Sequence, residues 1–466
     1  MKADGAKQQA TNEVAKRKRF GDRFLRHPVV DRYVSLFHGD LAEVYARDLR
    51  KWLIVAPIVG LTTGLVITGV VIVILGKMWP VVLQYYLAHH WSIVPGLVLG
   101  FMVTGLIMQF LTPDPNEHST EEIIRSYHEH EGAVDVRWFV PKVAAAISTV
   151  GSGGSAALEG PSIYGGAAIG SWLWTKLRRL RLTERDRRIV LICGAAAGMS
   201  AVFRAPLTGI VFALEMPYRD DLAHEALVPS LIASVVSFLT LSTFLGAAPL
   251  FDFTGCTSFS RQDVYWSALL GLIIGLVAMV FVVTFRRARV FFVQWQVAHW
   301  VKLSVGGLGT ALCGVLFLHF YPGNLVPLGP NYEAVGEILG KTHGTAELIV
   351  FSILKLAATL FTLAAGGVSA MFVPLFLTGG SIGTAFGQSI VHSGCLNLYA
   401  AVGMAAFIAA GYKTPLAAVV FVAEATGGHA FVVPALIGAA VAYAVSGDAS
   451  ASGDQRLHEG AKIKEP

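Results

Sequence analysis

One carboxylate stands inside a glycine-rich, apolar part of the sequence. Residues 151–161 read GSGGSAALEGP, and Glu159 is the only charged residue among them. A carboxylate in such a segment costs about 2.5–3.5 kcal/mol on membrane-insertion scales, so residues of this kind are functional by default. Because a proline follows within two positions, Glu159 is expected at the start of a helix, where it either gates an anion site or caps the helix.

The same arrangement occurs a second time. The segment KVAAAISTVGSGGSAALEGPSIYGGAAIGS from Lys142 aligns with KLAATLFTLAAGGVSAMFVPLFLTGGSIGT from Lys355, 213 positions later (355 minus 142). Residues 204–215 and 413–424 also align, at an offset of 209 (413 minus 204). This order is typical of transporters built from repeated halves, in which broken helices meet near the bilayer midplane. The alignment alone does not distinguish parallel from inverted halves.

The two glycine-rich segments, GGSAALEGP and GGVSAMFVP, are the candidate site. Helix N-termini carry unpaired N–H groups and about half a positive charge, so two that converge can hold an anion without a cationic side chain. Backbone dipoles also let the ion leave again. An ionised Glu159 can occupy the place of the anion, and a protonated one can leave it. Glu159 would then be a gate with a proton switch, and a plain helix cap is the alternative, compatible with gating.

The elements that carry these segments belong in a membrane. Of 466 residues, 54% are hydrophobic and 14% are charged, whereas soluble domains carry about 25% charge. Ten apolar stretches reach or approach the roughly 20 residues that cross the hydrocarbon. They lie near 52–76, 92–111, 189–216, 226–249, 266–285, 299–320, 347–365, 370–393, 398–422 and 431–445. We expect an all-α polytopic membrane protein of two repeated, inverted halves with broken and tilted helices.

Basic clusters orient the chain. They lie at residues 16–26, 176–188 and 286–289, and the positive-inside rule places them in the cytoplasm. The N-terminal 50 residues lack the apolar core of a signal peptide, so we expect an uncleaved arm, an amphipathic helix near 31–50, and both termini in the cytosol. Beside a membrane, such a basic run favours lipid headgroups over nucleic acid.

These motifs resemble the CLC family of chloride channels and proton-coupled chloride transporters. Residues 151–161 resemble the family segment that ends in GxEGP, and Glu159 occupies the position of its gating glutamate. Residues 370–374, AMFVP, resemble GxFxP with alanine in place of the glycine. VFRAPLTGIVFALE, residues 202–215, is similar to a characteristic helix of the family, and the resemblance spans about residues 40 to 456.

The resemblance implies anion ligands and an assembly. The backbone amides of Met371 and Phe372 would line the anion site, together with Gly160 beside the gate. The protein would form homodimers in which each subunit holds its own pore. The short stretch after the last apolar segment would leave no room for the family's paired regulatory CBS domains.

Three positions depart from the family pattern. His118 stands where the family has an anion-coordinating serine, and Ser452 stands where it has a central tyrosine. His118 could add a cationic ligand, or it could be a loop histidine. Glu215 is kept, but Met216 holds the position of the inner proton-carrying glutamate. Because a thioether cannot carry a proton, the case for strict proton exchange along a path through Glu215 and Met216 is weaker.

Other signals do not predict a function. GEILGKT, residues 336–342, has three residues where a P-loop needs four. His128 and His130 point to different faces of a helix, which argues against a metal site. Ser155 lacks the second glycine of GxSxG, which argues against a serine hydrolase. The cysteines are expected to be small buried residues without metal: Cys193, Cys256, Cys313 and Cys395.

The expected function is transport of small anions, chiefly chloride, through a pore in each subunit that Glu159 gates, in a channel-like or weakly coupled manner. The alternatives are chloride/proton exchange, transport of bicarbonate, nitrate or fluoride, and, more remotely, an intramembrane enzyme. We expect lipid and a second copy as partners, with protons as a further substrate. No enzyme activity, cofactor, metal or nucleic-acid partner is expected.

The expected organisation has one membrane domain. Residues 1–30 form the basic arm, residues 31–446 the membrane domain, and residues 447–466 a short cytoplasmic tail. The halves of the domain lie at about 50–250 and 260–446. The modest length favours a prokaryotic plasma membrane.

Overall fold

The computed structural model describes residues 39–116, 119–180, 182–248, 258–332, 343–426 and 431–458, with side chains from residue 51 onward except at positions 119 and 179. Within these ranges every regular element is a helix, so the all-α expectation is confirmed. The α-helices are α1 Gly39–Val71, α2 Trp79–Ala88, α3 Ile93–Leu111, α4 Ser119–Glu129, α5 Phe139–Gly151, α6 Glu159–Lys176, α7 Glu184–Phe203, α8 Pro206–Glu215, α9 Leu227–Leu245, α10 Arg261–Gln294, α11 His299–Phe320, α12 Thr345–Ala364, α13 Phe372–Phe386, α14 Leu396–Tyr412, α15 Pro415–Thr426 and α16 Val432–Val445.

The described residues contain helices of two lengths. Six helical stretches are long and apolar enough to cross a membrane: Lys51–Ala88, His90–Leu111, His224–Leu245, Arg261–Gln294, His299–Phe320 and Thr345–Ala364. The apolar helices α8, α14, α15 and α16 are shorter. A helix of 10 to 17 residues does not cover the roughly 30 Å of hydrocarbon, so the molecule combines spanning and broken helices.

Two of the predicted single spans are each two helices. The apolar stretch near 189–216 divides into α7 and α8, and the stretch near 398–422 divides into α14 and α15. The breaks lie at Arg204 and Lys413, which have positive φ angles of 52° and 60°. Two positions later a proline begins the next helix. Because proline disfavours helical geometry in the residue before it, the chain cannot continue as one helix.

Hydrogen bonds confirm the repeat. The Ser155 amide nitrogen donates to Thr362 Oγ1 at 3.1 Å. Val368 and Thr149 are the repeat equivalents of Ser155 and Thr362. The Val368 amide nitrogen donates to Thr149 Oγ1 at 3.4 Å, so the donor now lies in the second half and the acceptor in the first. The two halves therefore meet through bonds that a local two-fold relation generates.

Glycines allow equivalent helix pairs to pack closely. A Cβ atom on Gly194 of α7 would lie 2.0 Å from the carbonyl oxygen of Gly166 in α6. A Cβ atom on Gly403 of α14 would lie 2.1 Å from the carbonyl oxygen of Gly379 in α13. Small residues at such contacts let helix backbones approach within a membrane. This packing fixes α6 and α13, the two helices that begin at the candidate site.

Gly194→Ala is expected to destabilise the protein. The added methyl group overlaps the Gly166 carbonyl oxygen, so α6 and α7 must separate, and overpacking of this kind costs about 1–3 kcal/mol. Thermal unfolding of the purified variant in detergent should show a clear fall in Tm. Gly69→Ala is the matched control, because nothing lies within 4 Å of a Cβ atom there. Equal Tm values for the two variants would contradict the packing argument.

The first helix differs from its prediction. Residues 39–50 do not form a separate amphipathic helix, because they are the start of α1, which continues without a break to Val71. The chain divides into a short unit that ends at Val55 and a large compact unit that begins at Ala56. The basic N-terminal arm, residues 1–30, lies outside the described residues.

The segment after α16 packs against the membrane domain. Gln455 Nε2 donates to the carbonyl oxygens of Met216 and Tyr412, both at 3.1 Å. The Ala451 amide nitrogen donates to the carbonyl oxygen of Gly411 at 2.7 Å. Residues 447–458 are therefore part of the folded domain, although the sequence suggested a separate tail.

The cysteines follow the sequence expectation in part. Cys193 and Cys313 are buried and free, as expected for small apolar residues. Cys395 is disulfide-bonded, so the expectation is wrong for this residue. Spacing along the chain gave no sign of the bond, because a disulfide depends on which residues the fold brings together.

Candidate functional site

The two glycine-rich segments meet in a buried part of the structure. The Ala157 amide nitrogen donates to the Ala370 carbonyl oxygen at 2.9 Å, and the reverse bond measures 3.4 Å, which makes an isolated antiparallel bridge. Gly153 and Gly366 have φ angles of 108° and 110°, which glycine adopts at little cost. These two glycines turn the chain from α5 and α12 into the bridge, from which α6 and α13 begin.

Glu159 lies at this meeting point. Its side chain is buried, with 1% of the residue exposed, and its Oε1 accepts a hydrogen bond from the Phe372 amide nitrogen at 2.6 Å. Within the described residues its Oε2 has no hydrogen-bond partner. The carboxylate of the first half therefore occupies the N-terminal end of α13 in the second half.

Two tyrosine hydroxyls cover neighbouring amides. The Met371 amide nitrogen donates to the Tyr412 hydroxyl at 2.9 Å, and the Leu158 amide nitrogen donates to the Tyr332 hydroxyl at 3.2 Å. Leu158 directly precedes Glu159, and Met371 directly precedes Phe372, whose amide binds the Glu159 carboxylate. Sequence reasoning found neither tyrosine, because no motif contains them.

Aromatic rings enclose the amide end of α13. The Phe372 ring lies 5.1 Å from Phe203, 5.7 Å from Phe212, 4.9 Å from Phe421 and 6.0 Å from Tyr412, measured between ring centroids. All five rings are buried. Because these side chains are buried, the attraction between the amide dipole and a negative charge is stronger here than at an exposed helix end.

Two separate cavities end at the tyrosines. The first cavity, of about 490 Å³, is lined by Tyr332, Arg204 and residues of α1, α2 and the loop after α11. The second cavity, of about 40 Å³, is lined by Tyr412, Met371 and Ser452, among others. Glu159 lines neither of these two cavities, and each cavity instead reaches one of the two tyrosines.

The structure brings together most of the predicted anion ligands. Glu159, Met371 and Phe372 meet as described above, and Gly160 is buried in the first turn of α6. Ser452 lines the second cavity, and its amide nitrogen donates to Ser450 Oγ at 3.2 Å. His118 lies outside the described residues, so its assignment stays a prediction.

Glu215, a member of the predicted inner proton path, binds backbone amides of the other half. Its two carboxylate oxygens accept from the amide nitrogens of Leu416 and Ala417, at 3.0 and 2.7 Å. In the other half, Glu424 accepts from the amides of Leu207 and Thr208 at 2.9 and 2.7 Å. Each glutamate therefore caps the helix of the opposite repeat.

Met216, the other member of the predicted inner proton path, is buried. Its carbonyl oxygen accepts from Gln455. The proton path through Glu215 and Met216 stays a prediction, and the capping contacts favour a structural role for Glu215.

The histidine cluster of α4 is not arranged as a metal site. Burial lowers the pKa of His128 to about 4, so its ring is neutral at physiological pH. The ring bonds the Pro217 carbonyl oxygen at 2.8 Å and packs edge-on against Tyr127 and Tyr218. His130 is exposed. Among the described side chains, no group of three His, Cys, Asp or Glu residues could hold a metal ion.

Comparisons with known proteins show the family and the fold of this chain. The family model described as "Voltage gated chloride channel" matches residues 99–447. The "H(+)/Cl(-) exchange transporter ClcA" of Yersinia pestis is 30% identical over 326 residues, which are 66% of each chain. A CLC-type fluoride/proton antiporter has a similar fold, with a TM-score of 0.75 and 21% identity over 88% of this chain and 98% of its own. A slow cyanobacterial Cl⁻/H⁺ antiporter gives a TM-score of 0.74 and 21% identity over 85% and 94%.

Proposed function

The chain belongs to the voltage gated chloride channel family, and from that premise we propose that it exchanges a small anion, chloride first, for protons along a pathway that Glu159 gates. Family membership makes it a multi-pass membrane protein for anion transport. The proposal goes beyond family membership in three respects: coupling to protons, chloride as the anion, and Glu159 as the gate.

One hydrogen bond supports the assignment of Glu159 as the gate. The Phe372 amide nitrogen donates to the Glu159 carboxylate at 2.6 Å, beside the buried rings of Phe372, Phe203 and Phe421. An anion attracted by the same helix end needs the same N–H group, so the ion and the ionised side chain exclude each other. Protonation removes the negative charge of Glu159 and with it most of this attraction. A carboxyl that leaves with a proton and returns without it couples proton binding to anion passage.

The comparisons favour exchange over the channel-like behaviour expected from Met216. The Yersinia relative is named an H⁺/Cl⁻ exchange transporter, and both structural neighbours are named proton antiporters. Met216 argued for passive flow because a thioether cannot carry a proton. The second cavity offers another route, because it reaches Tyr412, which lies next to Glu159.

Chloride is the first candidate for the anion. The relative at 30% identity is named for chloride, whereas one structural neighbour is named for fluoride. Fluoride is therefore the second candidate.

We further propose a homodimer in a prokaryotic plasma membrane with both termini in the cytosol. The short helices α8 and α15 expose Leu207 and Leu416, which are 49% and 48% accessible. Helices too short to span the bilayer need a protein neighbour at their ends, and a second copy would supply one. By the positive-inside rule, the basic residues 286–289 favour a cytoplasmic position for the adjacent end of α10.

Reconstitution tests the proposal. Purified protein in liposomes should carry chloride, and a pH gradient should shift the reversal potential away from the chloride equilibrium potential. A parallel series with fluoride, nitrate and bicarbonate ranks the anions. No flux above protein-free liposomes would contradict anion transport. Flux with a reversal potential that ignores the pH gradient would contradict exchange and support a passive channel.

A further inference from the structure

Tyr412 and Tyr332 supply hydroxyl groups near the site, although the position of the family's central tyrosine holds a serine in this chain. Ser452 takes the position where the family pattern has a tyrosine, yet a tyrosine from a different element, the end of α14, reaches the Met371 amide. Tyr332, from the loop after α11, reaches the equivalent amide region of the first half. We propose that Tyr412 and Tyr332 are anion ligands, one at the end of each cavity, that hold the ion on either side of Glu159.

The hydrogen bonding of each tyrosine suits this role. Each hydroxyl oxygen accepts an amide proton, from Met371 or from Leu158, so the hydroxyl proton remains available for donation. Each hydroxyl binds the amide of a residue directly before Glu159 or before its partner Phe372. When Glu159 leaves, an anion that enters from either cavity meets a tyrosine hydroxyl whose proton can rotate toward it. The same donor serves the carboxylate and the ion in turn.

Both hydroxyls are held in place by neighbouring segments. The loop that carries Tyr332 is fixed at Gly329, whose amide donates to Gly153 at 2.8 Å and whose carbonyl oxygen accepts from Lys355 Nζ at 2.9 Å. The Tyr412 carbonyl oxygen accepts from Gln455 at 3.1 Å. Donors fixed before the ion arrives need little reorganisation to bind it.

The proposal rests on the proposed function and is tested by anion binding. Tyr412→Phe and Tyr332→Phe keep the rings and remove only the hydroxyl groups. Isothermal titration of each purified variant with chloride and fluoride should show an affinity at least about tenfold below that of the parent, because a hydrogen bond to a charged group is lost. Tyr399→Phe is the matched control. Its hydroxyl bonds Asp263, about 20 Å away along α14 from Tyr412, and its anion affinity should equal that of the parent.

The outcomes distinguish failure of the tyrosine ligand assignment from failure of the proposed transport function. If both tyrosine variants unfold at the Tm of the control and bind anions as tightly as the control, the ligand assignment is overturned. If only one loses affinity, the assignment holds for that tyrosine and fails for the other. If the parent protein neither binds nor transports any of the anions, the proposed function itself fails. If one phenylalanine variant does not fold, the titration of the other tests the proposal, with the same expected tenfold loss of anion affinity.

Discussion

Glu159→Gln is expected to give anion flux that no longer changes with pH and no longer moves protons. Glutamine keeps the shape of the side chain but cannot ionise, so it neither competes with the anion by charge nor carries a proton. In the parent, flux should rise as pH falls, because protonation of Glu159 weakens its hold on the Phe372 amide. In the variant, this dependence should vanish, and the reversal potential should follow the anion gradient alone.

The measurement is flux in proteoliposomes across a range of pH, with a proton readout. Glu225→Gln is the matched control, because Glu225 forms a surface ion pair with Arg185 and should leave both the pH dependence and the coupling unchanged. A Glu159→Gln variant with the parent's pH dependence would defeat the gate assignment.

Glu215→Gln is expected to lower stability and leave proton coupling in place. Glu215 is buried, and both of its oxygens accept backbone amides at the start of α15. Glutamine keeps one acceptor and turns an NH₂ group against the second amide. Loss of a hydrogen bond to a charged group costs about 1.5–3 kcal/mol, so Tm should fall clearly. The folded fraction should still shift its reversal potential with a pH gradient.

Glu424→Gln is the matched control, since Glu424 makes the equivalent bonds to α8. Its Tm should change in the same direction and by less, because Glu424 is only half-buried. Loss of coupling in Glu215→Gln at an unchanged Tm would show that Glu215 belongs to the inner proton path, against the capping assignment.

The parts of the site that could be predicted are encoded locally. The two glycines with positive φ, the prolines and the offset of 213 positions all lie within short segments. Those segments determine where α6 and α13 begin. Glu159 and Phe372 are therefore predictable from the sequence, even though they lie 213 residues apart.

The parts that could not be predicted depend on packing between distant segments. Tyr332 lies 174 residues from its partner Leu158, and Tyr412 lies 41 residues from Met371. No motif joins these pairs. Ser452, which aligns with a family tyrosine, does line the second cavity, but the alignment missed the hydroxyl that another helix supplies. In the same way, the position of Glu215 in a motif does not reveal whether its carboxylate faces a cavity or caps a helix.

The competition between Glu159 and the anion can be observed by diffraction. Crystals of Glu159→Ala grown with bromide should show anomalous density within hydrogen-bonding distance of the Phe372 amide nitrogen, where the carboxylate lies in the parent. Density confined to other places, with the amide end of α13 unoccupied, would contradict the account.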